Sequence, residues 1–127
     1  MRSIKMSSRP VDQGLLHSRL PVGAVVSVLH RATGVLLAIV FPALLYALSR
    51  SLHDERSFDA WRQVLESPGG RVLLAVAVWL LAHHLLAGIR HILLDLDIGA
   101  GLRVARASAY ATLMLAAVTA LAIALFV

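Results

Sequence analysis

The sequence predicts an all-α membrane protein with three transmembrane helices. Of its 127 residues, 59% are hydrophobic and only 15% are charged, which is too apolar for a soluble domain of this size. Three apolar runs, at about 21–50, 71–94 and 105–127, each approach the roughly 20 residues that a helix needs to cross a bilayer. Backbone polar groups in lipid must be bonded within the segment, so we expect each run to be helical.

The remaining chain is short, which predicts a simple organisation. Residues 1–20 are polar and basic and lack the apolar core of a cleavable signal, so we expect a retained N-terminal segment followed by a three-helix anchor over 21–127. Seven Lys and Arg residues flank the spans on the side of the N-terminus and four flank them on the other. This asymmetry predicts a cytoplasmic N-terminus.

Composition also excludes several classes of function. The chain has no cysteine, which excludes disulfides and thiolate-bound iron–sulfur clusters within it. It has no nucleotide or flavin fingerprint either, so any electrons that it handles must come from other chains. The basic residues lie beside the spans rather than on one face with interleaved aromatic residues, which favours membrane topology over nucleic-acid binding.

The first span carries the motif Ser27-Val-Leu-His30-Arg31-Ala-Thr-Gly34 near its start. Ser27 and Arg31 share one face of the predicted helix, with His30 at its side. A hydroxyl and a guanidinium aimed into one cleft suit a ligand whose oxygens become negatively charged, such as a quinone that gains electrons. Two alternatives stay open: Ser27 bonds to the carbonyl of Gly23, and Arg31 extends to lipid phosphates.

The connection after the first span has an amphipathic pattern. Phe58, Trp61 and Leu65 recur at helical spacing among charged residues. We expect a short helix along the outer membrane interface, ended by Ser67-Pro68-Gly69-Gly70.

In the second span, His84, Gly88 and His91 lie on one stripe, with about 10 Å along the axis between the histidines. A histidine in lipid surroundings, followed one turn later by a glycine, matches what a porphyrin needs from a helix: an axial imidazole and flat space for the ring. His30, Arg90 and His91 are then candidates to meet haem propionates. A histidine that only bonds to a neighbouring helix is the alternative.

Two neighbours of this stripe need their own interpretation. His83 lies about 100° from His84, so both cannot ligate one iron, and adjacent histidines without a completing carboxylate or cysteine make zinc the weaker metal. Asp95 is expected at the end of this helix. There it either forms an ion pair with Arg90 or relays protons to a reduced quinone. The ion pair is the simpler expectation.

The third span repeats small residues every four positions. This small-residue ridge lets another helix approach closely, although an alanine-rich span without a special partner explains it equally well. The ridge comprises Ser108, Thr112, Ala116, Ala120 and Ala124.

The two motifs together resemble those of the cytochrome b subunits of bacterial succinate dehydrogenases: the first as quoted above, the second as His84, three residues, then Gly88-Ile-Arg90-His91 and Asp95. The resemblance covers nearly the whole chain, including Arg9-Pro10. It implies a three-helix anchor in the bacterial inner membrane that forms a helical bundle with a second hydrophobic anchor subunit and shares one haem b with it.

The resemblance also implies function and partners. An iron–sulfur subunit and a flavoprotein subunit would dock on the cytoplasmic side, and electrons from succinate would pass to ubiquinone. By position, Ser27 and Arg31 would line the quinone site and His84 would be the axial haem ligand. His30, Arg90 and His91 would lie near the propionates or the quinone pocket. The alternatives are the anchor of a quinol:fumarate reductase and a haem-free structural anchor.

Overall fold

The computed structural model describes residues 21–126, which form four helices: α1 (Val22–Ser51), α2 (Glu55–Glu66), α3 (Pro68–Asp95) and α4 (Leu102–Phe126). The helices α1, α3 and α4 are long and apolar enough to cross a membrane. The predicted all-α class with three transmembrane helices is confirmed. The predicted N-terminal segment, 1–20, lies outside the described residues.

Helix α3 begins earlier than the sequence predicts. Ser67 is the only residue between α2 and α3, and its hydroxyl oxygen accepts a hydrogen bond from the backbone N–H of Gly70 at 3.1 Å. Pro68 occupies the first turn, where its fixed φ and missing N–H are tolerated. Helix α2 ends at Glu66, directly before Ser67-Pro68-Gly69-Gly70 as the sequence predicts, and capping by Ser67 lets α3 start at once, three residues before the approximate start at 71.

The corner between α2 and α3 requires a glycine. A Cβ atom on Gly70 would overlap the backbone carbonyl of Val64 near the end of α2. The missing side chain lets the end of α2 lie directly against the first turn of α3.

Helix α3 runs antiparallel to α1 and to α4, so α1 and α4 are parallel to each other. Gly23 near the start of α1 lies beside Arg90 near the end of α3, while Gly34, further along α1, lies beside His84. The connection 96–101 then turns the chain into α4, with positive φ angles at Asp97 (59°) and Gly99 (75°). The start of α1, the end of α3 and the start of α4 thus meet at one end of the bundle, called here the N-terminal end.

The core is small and lies where the three spans meet. Val26, Ala87 and Ala109 are fully buried and pack together. Two of the three are alanines, which allows close helix approach in lipid. Most large apolar side chains of the spans stay exposed on the outside of the chain, as expected for surfaces that face lipid or other subunits.

The small-residue ridge of α4 packs within the chain. Thr112 and Ala116 are buried, and Ser108 accepts a hydrogen bond from Arg90 of α3. Ala120 and Ala124 line an apolar groove together with Trp79 and other α3 residues. The neighbour that the ridge accommodates is therefore α3 of the same chain.

Helix α2 is the amphipathic helix that the sequence predicts. The Asp54 carboxylate caps it by accepting from the backbone N–H of Ser57 at 2.7 Å and from its hydroxyl at 3.2 Å. These bonds lower the pKa of Asp54 below its usual range. The side chains of Phe58, Trp61 and Leu65 are 51%, 38% and 40% exposed, so packing within residues 21–126 leaves much of the apolar face uncovered. The outer-interface location stays a prediction.

Candidate functional site

Three histidines of the two motifs form one cluster, called here the imidazole stack: His30 of α1 with His84 and His91 of α3. The ring centroids of His30 and His84 are 4.3 Å apart with 16° between the planes, and those of His30 and His91 are 5.0 Å apart with 26°. Two separate sequence motifs therefore meet at one place in the bundle. The predicted juxtaposition of His30 with the second motif is present.

Two glycines make room for the stack. A Cβ on Gly34 of α1 would come within 3.0 Å of His84 Cε1, and a Cβ on Gly88 of α3 would come within 3.3 Å of His30 Nε2. Each helix thus has one glycine that accommodates a ring of the other helix. The sequence predicted flat porphyrin space beside Gly88, but in the structure the His30 ring lies there.

The imidazole of His84 is oriented by α1. Its Nδ1 atom lies 3.2 Å from the backbone oxygen of His30 and 3.4 Å from the hydroxyl of Thr33. A carbonyl oxygen only accepts, so Nδ1 carries the proton and Nε2 has its lone pair available. Both hydrogen bonds of this ring within 21–126 are made at Nδ1, Nε2 makes none, and the residue is half-buried.

His83 has a different environment, although it precedes His84 directly. It is fully buried inside the bundle and stacks on Trp79 with the centroids 5.5 Å apart. The backbone of Val26 approaches its ring, but neither nitrogen has a partner with hydrogen-bonding geometry. An imidazole enclosed within this chain cannot be shared with another subunit unless the helices separate.

The stack does not form a chelating site by itself. His91 donates from Nδ1 to the carbonyl of Ala87 at 2.6 Å within α3. Because the rings lie face to face, their nitrogens do not point at a common centre, and residues 21–126 hold no group of three ligand-type side chains around one point. A metal bound here would take one imidazole from this chain and its other ligands from elsewhere.

Arg90 joins α3 to α4. It is 8% exposed, donates from Nε to the Ser108 hydroxyl at 3.1 Å and donates from Nη2 to the Ala105 carbonyl at 3.0 Å. Gly23 of α1 lies against the same guanidinium, since a Cβ there would come 3.5 Å from Nη2. These guanidinium hydrogen bonds therefore hold α3 against α4.

The expected ion pair between Arg90 and Asp95 was wrong. The one salt bridge that residues 21–126 form lies on α2, between Arg62 and Glu66, and Asp95 is exposed. Five helical residues separate the two side chains by about 140°, whereas Asp95 lies within about 20° of His84 around the helix. Asp95 thus extends the stripe of His84 and His91 to the N-terminal end of the bundle.

Ser27 and Arg31 lie one turn apart on α1. Ser27 is half-buried and Arg31 is exposed. Neither side chain makes a hydrogen bond or ion pair with another residue of the described part of the chain, and the alternative bond from Ser27 to Gly23 is not present. Both groups keep their donors available for a ligand.

Thr33 is a site residue that sequence reasoning missed. It is 1% exposed and its hydroxyl lies between the His30 carbonyl and the His84 ring. The motif contained a signal, a hydroxyl residue three positions after His30. Only the register between α1 and α3 brings it to the imidazole.

Comparisons with known proteins show the family of this chain. The family described as succinate dehydrogenase/fumarate reductase transmembrane subunit matches residues 5–124. A succinate dehydrogenase cytochrome b556 subunit of Coxiella burnetii is 33% identical over 108 residues, which covers 82% of this chain and 84% of the relative. A subunit of the same name from Paracoccus denitrificans is 30% identical over 111 residues, or 87% and 85% of the two chains. The chain therefore belongs to the family of succinate dehydrogenase/fumarate reductase transmembrane subunits.

Proposed function

We propose that this chain is the membrane anchor of a succinate:quinone oxidoreductase, where it binds haem b with a partner subunit and forms part of the ubiquinone-reduction site. The observation that carries the proposal is the orientation of His84, a half-buried imidazole with Nδ1 bonded to a backbone carbonyl and Nε2 without a partner. Both relatives are named succinate dehydrogenase subunits, which supports succinate oxidation as the direction.

The residues of the site fit a haem. Metal-ligating histidines usually donate their second ring N–H to a carbonyl or carboxylate, which fixes the tautomer and raises ligand basicity. His84 has this arrangement through the His30 carbonyl, so we assign it as the axial ligand. His30 and His91 contribute to the pocket through the stack, and Arg90 braces α3 against α4 beside it. When bound, haem b supplies one-electron redox chemistry.

The choice of His84 over His83 follows from burial. A haem shared between subunits needs an imidazole at the surface of the chain. His84 is half-buried at the edge between α1 and α3, whereas His83 is enclosed. His83 therefore serves the interior of the bundle.

The partners follow from what the chain lacks. The described residues offer one oriented imidazole to a haem, so a further ligand would come from another chain, and we infer a second hydrophobic anchor subunit packed against the exposed surface of the spans. Since the chain has no cysteine, the iron–sulfur clusters would belong to a separate subunit, and since it has no flavin fingerprint, the flavin would belong to a further one.

Ser27 and Arg31 bind the quinone in this proposal. Their unpartnered donors lie one turn apart on α1, where they stabilise negative charge that develops on the quinone oxygens. Asp95, at the end of the His84 stripe, is the group that relays protons from the water phase.

The membrane orientation follows from the distribution of the basic residues. The excess of basic residues on the N-terminal side supports a cytoplasmic location for the N-terminal end of the bundle, in the bacterial inner membrane. The quinone donors and Asp95 then face the side where soluble subunits deliver electrons.

The test is purification of the chain with its partners in mild detergent. We expect a flavoprotein, an iron–sulfur protein and a second small hydrophobic subunit to co-purify, and the complex to show a sharp α band in a reduced-minus-oxidised visible spectrum. A complex without that band would instead identify a haem-free structural anchor.

A further inference from the structure

We propose that Thr33 is a positioning residue that holds the His84 imidazole in its ligating orientation. The inference rests on the proposed haem ligation by His84 and adds to it a buried hydroxyl from the opposite helix. Thr33 does not touch the cofactor in this proposal. It acts only through the ring that does.

The hydrogen bonds around Thr33 allow one consistent assignment of protons. The Thr33 hydroxyl has a single proton, which it donates to the backbone oxygen of His30 at 3.0 Å. Its oxygen keeps lone pairs that accept, and His84 Nδ1–H lies 3.4 Å from it and 3.2 Å from the same His30 oxygen. The N–H of His84 is thus shared between two acceptors on α1, both held by one turn of that helix.

Steric contact completes the orientation. Next to Thr33, Gly34 faces the same ring, and a Cβ on it would come 3.0 Å from Cε1 and 3.4 Å from Nδ1. The backbone of α1 therefore limits the tilt of the ring while the two acceptors limit its rotation. The ring is thus held in one orientation, and the lone pair on Nε2 points in one direction.

Other membrane threonines show that this arrangement is specific. Thr112 donates to the Ser108 carbonyl at 2.9 Å and Thr119 donates to the Leu115 carbonyl at 2.8 Å, each four residues earlier in its own helix. Neither hydroxyl makes a bond to a second helix. The Thr33 hydroxyl instead donates to the carbonyl of His30, three residues earlier, and that carbonyl also accepts from His84 Nδ1–H. Helical back-bonding alone does not place a threonine against an imidazole of a second span.

The experiment uses the whole purified complex with Thr33→Val, which removes the hydroxyl at nearly constant volume. Thr33→Ser is the variant that should restore the arrangement, and Thr112→Val is the matched control, a buried threonine that only back-bonds. The readouts are haem content, the midpoint potential of the haem, and the lowest-field feature of its ferric low-spin EPR signal, which depends on the orientation of the ligating imidazole plane.

For Thr33→Val we expect retained haem with a higher midpoint potential and a broadened EPR feature. Losing one acceptor at Nδ1–H lowers the basicity of the ligand and frees its rotation. Thr33→Ser should return both readouts towards the wild type, and Thr112→Val should change neither. If Thr33→Val loses the haem altogether, recovery in Thr33→Ser supports the proposal and loss in both variants overturns it.

Three other results would overturn the proposal. They are an unchanged or lowered potential in haem-loaded Thr33→Val, an unchanged EPR feature in that variant, and the same shifts in Thr112→Val. Failure of the proposed function is seen separately, because the wild-type complex would then contain no haem before any variant is compared.

Discussion

Gly34 of α1 faces the His84 ring of α3 so closely that one added carbon on Gly34 would come 3.0 Å from His84 Cε1. The contact is matched by Gly88 and His30 on the same two helices, where the corresponding distance is 3.3 Å. The separation between α1 and α3 at this depth is therefore set by imidazole rings lying on bare backbone.

Gly34→Ala should reduce haem content. Since 3.0 Å is closer than ordinary carbon contacts, either the His84 ring or the α1 backbone must shift by a few tenths of an ångström. Haem per purified complex, measured by pyridine haemochrome absorbance, is the readout. Gly101→Ala is the control because a Cβ there would meet nothing within 4 Å. Equal haem content in both variants would show that the contact does not constrain the ligand.

His84→Ala should abolish the α band, while His83→Phe should keep it. The second change preserves an aromatic ring next to Trp79 and removes two buried nitrogens without partners, so we expect unchanged or higher thermal stability of the complex. Visible spectra and thermal unfolding of the two variants are the measurements. A haem that survives His84→Ala but not His83→Phe would reverse the ligand assignment.

Ser27→Ala and Arg31→Leu should each slow quinone reduction by about 100-fold or more, the usual cost of losing an oriented donor at a site of developing charge. Electron transfer from succinate to a soluble artificial acceptor should stay nearly intact, because it bypasses the quinone. Ser49→Ala, an exposed serine near the far end of α1, is the matched control. Parallel loss of both activities would indicate failed assembly instead.

Arg90→Met should destabilise the anchor. The change keeps an extended side chain but removes the bonds to Ser108 and the Ala105 carbonyl, each worth about 1.5–3 kcal/mol when the donor is charged. Thermal unfolding of the purified complex measures the effect. Arg103→Met, an exposed arginine in the first turn of α4, should leave the midpoint unchanged. A similar loss of thermal stability in both variants would mean that the change in net charge, rather than the loss of the Arg90 hydrogen bonds, is responsible.

Helix α2 should loosen at low pH through Asp54. The cap lowers the pKa of this carboxyl in the folded chain, so its contribution to stability is complete above the ordinary value of about 3.9 and is lost as the pH falls through the lowered pKa. Hydrogen exchange of the α2 amides, compared between neutral pH and about pH 3 and corrected for intrinsic rates, measures the loss. Asp54→Ala should exchange fast at both pH values. If wild-type protection does not fall with pH, the cap does not stabilise the helix.

Much of the fold was predictable because length and apolarity alone specify membrane spans. The three apolar runs predicted the spans without any knowledge of packing, and the helical spacing of Phe58, Trp61 and Leu65 was enough to predict α2. The start of α3 lies three residues before the approximate bound, because Pro68, Gly69 and Gly70 are turn residues in most contexts, whereas a serine cap before a proline favours the first turn of a helix.

The site was predictable on each helix but not between helices. Helical angles place His84, His91 and Asp95 on one stripe, and the same angles exclude an ion pair between Asp95 and Arg90. Which ring lies over Gly88 depends on the position of α1 along α3. The periodicity of either helix alone carries no information on that position. The position of Thr33 at the imidazole was hidden for the same reason.

Every hydrogen bond that joins α1 to another span within 21–126 ends on the His84 ring. That ring is therefore the hydrogen-bonded link between α1 and the rest of the bundle, as well as the proposed haem ligand. Without it, only apolar contacts and close glycine packing would attach the first span to its neighbours within this part of the chain. One side chain thus couples the hold on the proposed cofactor to the attachment of a whole helix.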